Sequence, residues 1–389
     1  MTKRIYMDYS ATTPVKKEVV DAMIPFFSET FGNASSPHYF GREAKKVLMK
    51  ARDTIAETLN AKSDEIYFTA GGTESDNWAI RGAMTFIKTK GKHMITTTIE
   101  HHGVLHPAEA LEKEGYDVTY LPVDENGLIR LEDLKAAIRP DTALISIMFI
   151  NNEIGTMQPI KEIGEIAKAH NIIFHTDAVQ AYGNVKIDVE ELNIDMLSIS
   201  SHKIYGPKGV GALYMRKGTP VAPFMIGGAQ EKKRRAGTEN MPGIVGFAKA
   251  AEIAHAQLED HIERLTKLRD RLIKGLLEKI DYTRLNGHPT KRHPGNVNIS
   301  FEFIEGEALL LMLDHQGIAG SSGSACTSGS LDPSHVLMGI GLTHEIAHGS
   351  LRLSLGDFTT EEDVDTAIEK LIPIVQRLRE MSPLYPANN

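Results

Sequence analysis

The chain has 389 residues, of which 41% are apolar and 24% charged, and its 43 Lys and Arg against 51 Asp and Glu give a formal net charge of −8. This composition excludes a disordered or collagen-like chain, and the length points to two domains or to one large α/β domain with an appendage. The mild acidity gives no basic footprint for nucleic acid and favours a small-molecule substrate. A single cysteine, Cys326, cannot form an intrachain disulfide. The opening "MTKRIYMDYSATTP" lacks the apolar core of a signal peptide, and the longest apolar run, "ALISIMFI" at 143–150, is too short to span a bilayer. A reducing, cytoplasmic compartment is expected, with neither a membrane nor a direct nucleic-acid partner.

Along the chain, short apolar runs alternate with helical patterns. "EIYFTA" (65–70) leads into a helix from about Thr73, and "HMITTTIE" (93–100) precedes one ending near Glu114. "DVTYLPVD" (117–124), "TALISIMFI" (142–150), "NIIFHTDA" (171–178) and "DMLSISSH" (195–202) follow. Such alternation predicts an α/β fold with a mostly parallel sheet covered on both faces. "GVGALYMRKG" (209–218) follows only a short turn and reads as an antiparallel strand. From about Pro242 the pattern changes. A long helix to roughly Ile280, the strand "NVNISFEF", the helix "GEALLLMLDHQG", the cysteine stretch, "LRLSLG" and a last helix from about Thr360 suit a smaller α+β domain. The domain junction is expected inside the long helix.

Ligands of open α/β sheets sit at the carboxyl ends of the strands, and four of those ends are polar. In "FTAGGTES" two glycines precede Thr73, which can cradle a phosphate at a helix N-terminus or simply cap the helix. "IEHHGV" places His101 and His102 after a strand, as ring partners or as solvated caps. "FHTDAVQA" places Asp177 after an apolar strand with Gln180 nearby; the carboxylate can pair a cationic ring nitrogen or cap the next helix. "SISSHKIYGPKG" sets Lys203 behind Ser200, Ser201 and His202, as a Schiff-base amine or an ordinary surface lysine. Together these are the parts needed to hold pyridoxal 5'-phosphate (PLP).

Two further stretches carry charge. "EKKRRAGTEN" (231–240) is a solvated basic loop or an anion contact through Thr238. Arg352, alternating with apolar residues in "GSLRLSLG", must pair with something, and a substrate carboxylate would suit it. "HEIAH" (344–348) matches a zinc-protease pattern, but Gly349 and a strand follow at once, so the helix is too short and no metal is expected. Small residues surround Cys326 in "SSGSACTSGS" (321–330), as a mobile reactive thiol requires.

The chain resembles the NifS/IscS-type cysteine desulfurases of the PLP-dependent class V aminotransferase-like group over nearly its whole length. The stretches that carry the resemblance are "DYSATTP", "FGNASS", "GGTESDN", "NNEIGT", "HTDAVQ", "SHKIYGPKG", "RAGTEN", "SSGSACTSGS" and "LRLSLGDFTTEED", in the family's order. Two positions depart from it: Ser201 stands where many relatives have Gly, and "GNASS" where many have "GNPSS".

The resemblance implies PLP-dependent transferase fold type I, with a mostly parallel seven-stranded sheet. It implies a large domain over 14–255 and a small one over 1–13 and 256–389, the latter carrying a mobile cysteine loop at about 321–332. It implies Lys203 as the Schiff-base lysine, His101 stacked on the ring, Asp177 on the ring nitrogen and Gln180 on the ring hydroxyl. Gly72, Thr73, Ser200 and His202 match the phosphate cup, Ser201 and Asn152 are expected among the other cofactor contacts, and Thr238 matches a phosphate contact donated by the other subunit of a homodimer. Asn152 and Arg352 match the residues that position the substrate.

The implied reaction is L-cysteine to L-alanine: the freed Lys203 removes the Cα proton, and the Cys326 thiolate, helped if necessary by a base such as His101, takes the substrate sulfur as a persulfide. The acceptor would be an iron–sulfur scaffold or a thiolation enzyme. Scaffold-serving relatives carry a longer C-terminal tail used in docking than "MSPLYPANN" offers, so the resemblance leaves the scaffold contact open. The alternatives are a selenocysteine lyase or an aminotransferase of the same fold, and a non-catalytic sulfur carrier.

Overall fold

The computed structural model describes residues 4–87, 91–322 and 333–386. After a two-residue strand β1 (Ile5–Tyr6), seven short strands follow: β2 (Ile66–Thr69), β3 (His93–Thr97), β4 (Asp117–Leu121), β5 (Thr142–Ser146), β6 (Ile173–Asp177), β7 (Met196–Ser200) and β8 (Gly211–Met215). They form one sheet in the order β2-β8-β7-β6-β5-β3-β4. The pairs among β3 to β7 are parallel, and β8 runs antiparallel to both its neighbours, as the short preceding turn predicts.

Every residue of β2, β3, β7 and β8 is buried, the pattern of a sheet covered on both faces. Successive side chains alternate between the two. Ile66, Phe68, Ile95, Ile145, Leu197 and Ile199 pack with Leu48 and Ile55 of the helix Tyr39–Thr58 and with Phe247 of the helix Met241–Ala256. Tyr67, Met94, Leu144, Met196 and Leu213 pack with Trp78 and Met84 of the helix Gly72–Phe86 and with Val104 and Leu111 of the helix His102–Lys113. Each large side chain fully buried this way contributes about 1.5–3 kcal/mol.

The remaining strands are β9 (Thr283–Leu285), β10 (Asn296–Phe301), β11 (Ile318–Ala319) and β12 (Ser350–Ser354). β12, β10 and β9 form an antiparallel sheet, and β11 pairs in parallel with β1. Their core joins Val297, Phe301, Leu351 and Leu353 to Leu272 and Leu276 of the helix Leu258–Lys279 and to Leu371 of the helix Glu361–Glu380. Ile5 and Met7 lie in this same core, so the chain's first described strand packs with its C-terminal third.

The single long helix expected from about Pro242 to Ile280 is two helices, broken at Gln257. The Gln257 N–H closes the first helix on Ile253 O at 3.1 Å. The apolar stripes face different cores, Phe247 toward the large sheet and Leu265, Leu268 and Leu272 toward the small one. One straight helix could not serve both.

"HEIAH" forms a helix of five residues, His344–His348, with both histidines exposed and β12 following directly. Among the described residues no helix is long and apolar enough to cross a membrane.

Candidate active site

The parallel strands β3, β5, β6 and β7 end on one edge of the sheet, beside the turn after β2. At this edge a cavity of about 260 Å³ is lined by Gly72, Thr73, His101, Asn152, Asp177, Gln180, Ser200, His202, Lys203 and Arg352, together with Ser10, Ala11 and Asp76. A larger groove, about 400 Å³, lies at the opposite strand ends, but its Arg216 is already engaged by Glu190 and Asp195.

Local sequence explains each placement. Gly71 has φ 155, a conformation open to glycine alone, and it turns the chain from β2 into the helix that Gly72 begins. A Cβ on Gly72 would lie 2.5 Å from Val179 Cγ2, so only glycine lets this backbone run against the turn after β6. His101 caps the helix His102–Lys113: its Nδ1 accepts the Gly103 N–H at 2.9 Å. That bond leaves the neutral ring's proton on Nε2. Burial, then the nearby Lys203 charge, push the His101 pKa down to about 4, so the ring is neutral at physiological pH. His202 is pushed down to about 4 for the same two reasons, and its Nδ1 lies 3.2 Å from Thr12 Oγ1.

Lys203 follows β7 in a single tight turn, Ser201–Lys203. Its Nζ donates to Ser10 O at 2.5 Å and Ala11 O at 2.8 Å. Gln180 Nε2 donates to the same Ser10 carbonyl at 2.9 Å. Asp177 ends β6, buried, with Oδ1 accepting the Val179 N–H at 2.9 Å. Burial raises its pKa, which that bond and Lys203 oppose. Arg352, 2% exposed on β12, donates from Nη2 to Asp8 Oδ1 and from Nη1 to Asn152 O, both at 3.0 Å. Its Nε has no partner among the described residues.

These residues fit PLP on structural grounds. A glycine-built helix N-terminus with Thr73 and Ser200 beside it suits a phosphate. At the deep end two buried carboxyls, Asp76 and Asp177, lie with His101 so that one ligand atom of each falls within 4.8 Å of the others. Asp76 Oδ1 lacks a hydrogen-bond partner among the described residues. Buried acid without a full partner is costly, and a protonated ring nitrogen is the cation it suits.

Two expected cofactor contacts do not line this cavity. Ser201 is buried on the far side of its turn, its Oγ 2.1 Å from where a Cβ on Gly206 would lie. A serine is accommodated at 201 because residue 206 is glycine. Thr238 is exposed on the surface loop. Cys326 lies outside the described residues, as does most of the expected loop.

The flanks of that stretch are described, and both are tied to the cavity. Ser321 pairs with Arg352 as an antiparallel bridge, N to O at 3.0 and 2.6 Å. On the other side Ser334 Oγ donates to Glu153 Oε2 at 2.5 Å, next to Asn152, and His335 Nε2 meets Glu100 O at 2.9 Å, next to His101. Burial pushes the Glu153 carboxyl up to about 7 and the Glu100 carboxyl up to about 8.

Sequence reasoning missed Asp8, Asp76, Glu153 and the carbonyls of Ser10 and Ala11. Asp76 had a signal: it lies four residues after Gly72, on the same helix face. Asp8 and Glu153 had none, because their partners are distant in the chain.

The aminotransferase class-V family model matches residues 5–367. The chain is similar to a cysteine desulfurase IscS of Methanosarcina thermophila, 61% identical over 99% of this chain and 95% of that protein. Among solved structures it is similar to a NifS-like protein, with a TM-score of 0.91, 39% identity, and 97% of this chain and 100% of that one covered. It is also similar to SspA in complex with cysteine, with a TM-score of 0.82, 38% identity, and 92% and 100% covered.

Proposed function

We infer the roles of single residues from one premise: the chain belongs to the aminotransferase class-V family and is a PLP-dependent cysteine desulfurase, acting on L-cysteine and passing its sulfur to acceptors. The observation that carries the inference is the convergence of Lys203, His101, Asp177 and the Gly72–Thr73 turn on one cavity at the strand ends.

When bound, PLP supplies an electron sink for the substrate carbon. Gly72, Thr73, Ser200 and His202 would hold its phosphate, Asp177 would pair with its ring nitrogen and Gln180 with its hydroxyl. His101 offers a neutral ring face, with its proton on Nε2. Lys203 would anchor PLP covalently and, once freed, would move the Cα proton. Arg352, oriented by Asp8 and the Asn152 carbonyl, takes the substrate carboxylate, and the presence of SspA in complex with cysteine among the similar structures agrees with that ligand.

Cys326 is the acceptor of the sulfur. Its thiolate forms an S–S bond as the substrate C–S bond breaks; the electron pair stays with carbon, which gains a proton and leaves as L-alanine. Ser321, five residues before Cys326 in the chain, is bonded to Arg352, which supports a role for Cys326 at the substrate site.

The partner of this chain is a second copy. Phe27, Phe31, Tyr39 and Phe40 are exposed in one stretch, and Ile226 is 95% exposed on the segment paired with the loop that leads to Thr238. Such apolar exposure suits an interface, from which Thr238 would serve the other copy's phosphate. The large unit then spans 14–255 and the small one 1–13 and 256–389, a division supported by the break at Gln257. A working thiol suits the reducing cytoplasm, and the persulfide passes to an iron–sulfur scaffold or a thiolation enzyme.

Replacing Cys326 by Ser tests this. Alanine formation and sulfide release from L-cysteine should fall by at least about a thousandfold, while the PLP absorbance stays. Full activity would refute the role of Cys326, and a keto acid as product would favour an aminotransferase.

A further inference from the structure

Asp76 is a buried titratable group that the roles above leave without work. It is 1% exposed, lines the deep end of the cavity and lies beside Asp177, with ligand atoms of the two no more than 4.8 Å apart. Two buried carboxylates this close repel each other's charge, which favours keeping one proton on the pair.

The surroundings decide where that proton sits. Asp177 accepts the Val179 N–H and feels Lys203, both of which favour its anion. Asp76 Oδ1 has no hydrogen-bond partner among the described residues. On β6, His175 Nε2 comes to 3.7 Å of that oxygen, yet burial pushes this ring down to about 3, so it brings no charge. Its two nitrogens already lie 2.8 Å from Ser146 Oγ and 3.0 Å from Ser198 Oγ. His101 is neutral, and Glu100 after β3 is itself protonated by burial. Burial foremost, then the Asp177 charge, hold Asp76 far above the usual carboxylate range, against the opposing pull of the Ser198 hydroxyl.

We propose that Asp76 is a positioning residue that keeps the proton of the Asp76–Asp177 pair and turns it toward Asp177, leaving one negative charge at the deep end of the cavity. Asp177 then meets a ring nitrogen as a single, oriented anion. The inference rests on the assignment of Asp177 to the ring nitrogen.

The test is PLP binding to the apo-protein, followed by absorbance between pH 5 and 8.5, for wild type, Asp76→Ala and Asp76→Asn. Affinity falls on the acid side as Asp177 takes a proton. Loss of a donor in Asp76→Ala should move that limb up by about one pH unit, weakening binding about tenfold at its acid end. Asp76→Asn keeps a donor and should restore the limb. A limb that moves down in Asp76→Ala means Asp76 is an anion, and an unmoved limb means the pair is uncoupled; either overturns the proposal.

Should Asp76→Ala not fold, ¹³C carboxyl NMR of labelled wild-type apo-protein, with Asp76→Asn for assignment, decides. A resonance held at the protonated position through pH 7 supports the proposal, and one titrating near the ordinary Asp value overturns it. Asp177→Ala separates the two ideas. Unchanged PLP affinity and pH profile there would remove the ring-nitrogen assignment, while the carboxyl spectrum would still report on Asp76.

Discussion

The two ends of the cavity are built differently. The deep end comes from strand ends of one sheet: Asp177 closes β6, Ser200 closes β7, Lys203 follows within one turn, and His101 caps the next helix. The mouth is assembled across the molecule. Arg352 on β12 meets Asp8, 344 residues away in the chain, and Ser334 meets Glu153 across 181. "DYSATTP" joins the two ends: Ser10 N bonds Ser354 Oγ at 2.8 Å, and Thr13 N bonds His202 O at 3.1 Å. A deep end formed within one rigid sheet suits a cofactor that stays. A mouth formed by separate elements suits a substrate that comes and goes.

The sharpest way to test this contrast is Arg352→Ala. It removes the buried cation that would take the substrate carboxylate, so kcat/KM for L-cysteine should fall about 10²- to 10³-fold, a loss of about 3–4 kcal/mol. The loss should appear mainly in KM, with PLP absorbance intact. Arg352→Lys keeps the charge without the fork and should recover only part. Loss of bound PLP in either variant would mean the ends are not separable.

This division also explains what could be read without coordinates. The seven-stranded sheet, the antiparallel β8 and the strand-end residues are local patterns: apolar runs, Gly-Gly before a helix, a carboxylate after a strand. The break at Gln257 was hidden because helix periodicity continues through it, and only the two separate cores show that the apolar face turns. Arg352 was recognised as needing a partner, but Asp8 as that partner lies beyond any local rule. Ser201 is not among the residues that line the cavity, and its fit depends on glycine at 206.

A smaller effect is expected where the cysteine segment returns. Ser334 Oγ donates to Glu153, a hydrogen bond to an acid that is worth about 1.5–3 kcal/mol when charge-assisted. Ser334→Ala should slow persulfide formation on Cys326 by about tenfold, measured by trapping the persulfide in a single turnover. PLP affinity and the L-cysteine KM should hold. A change in PLP affinity instead would place Ser334 with the deep end.

The smallest effect sets the rigidity of the deep end, through Glu100. It is fully buried, both its oxygens lie 3.1 Å from the Met148 N–H, and Thr97 Oγ1 donates to Oε1 at 2.8 Å. Its carboxyl is pushed up to about 8 by burial, against those bonds. The folded protein therefore keeps a proton that the unfolded chain releases near the ordinary Glu value. Between those two points a rise in pH favours the unfolded chain, by about 1.4 kcal/mol per pH unit. Glu100→Gln keeps an acceptor for Met148 and removes the proton difference. Urea unfolding of the apo-protein at pH 6, 7 and 8 should show the variant gaining on wild type by about 1 kcal/mol at each step. A gap that does not change with pH would mean Glu100 is already ionised in the fold, and that the support beneath His101 is charged rather than neutral.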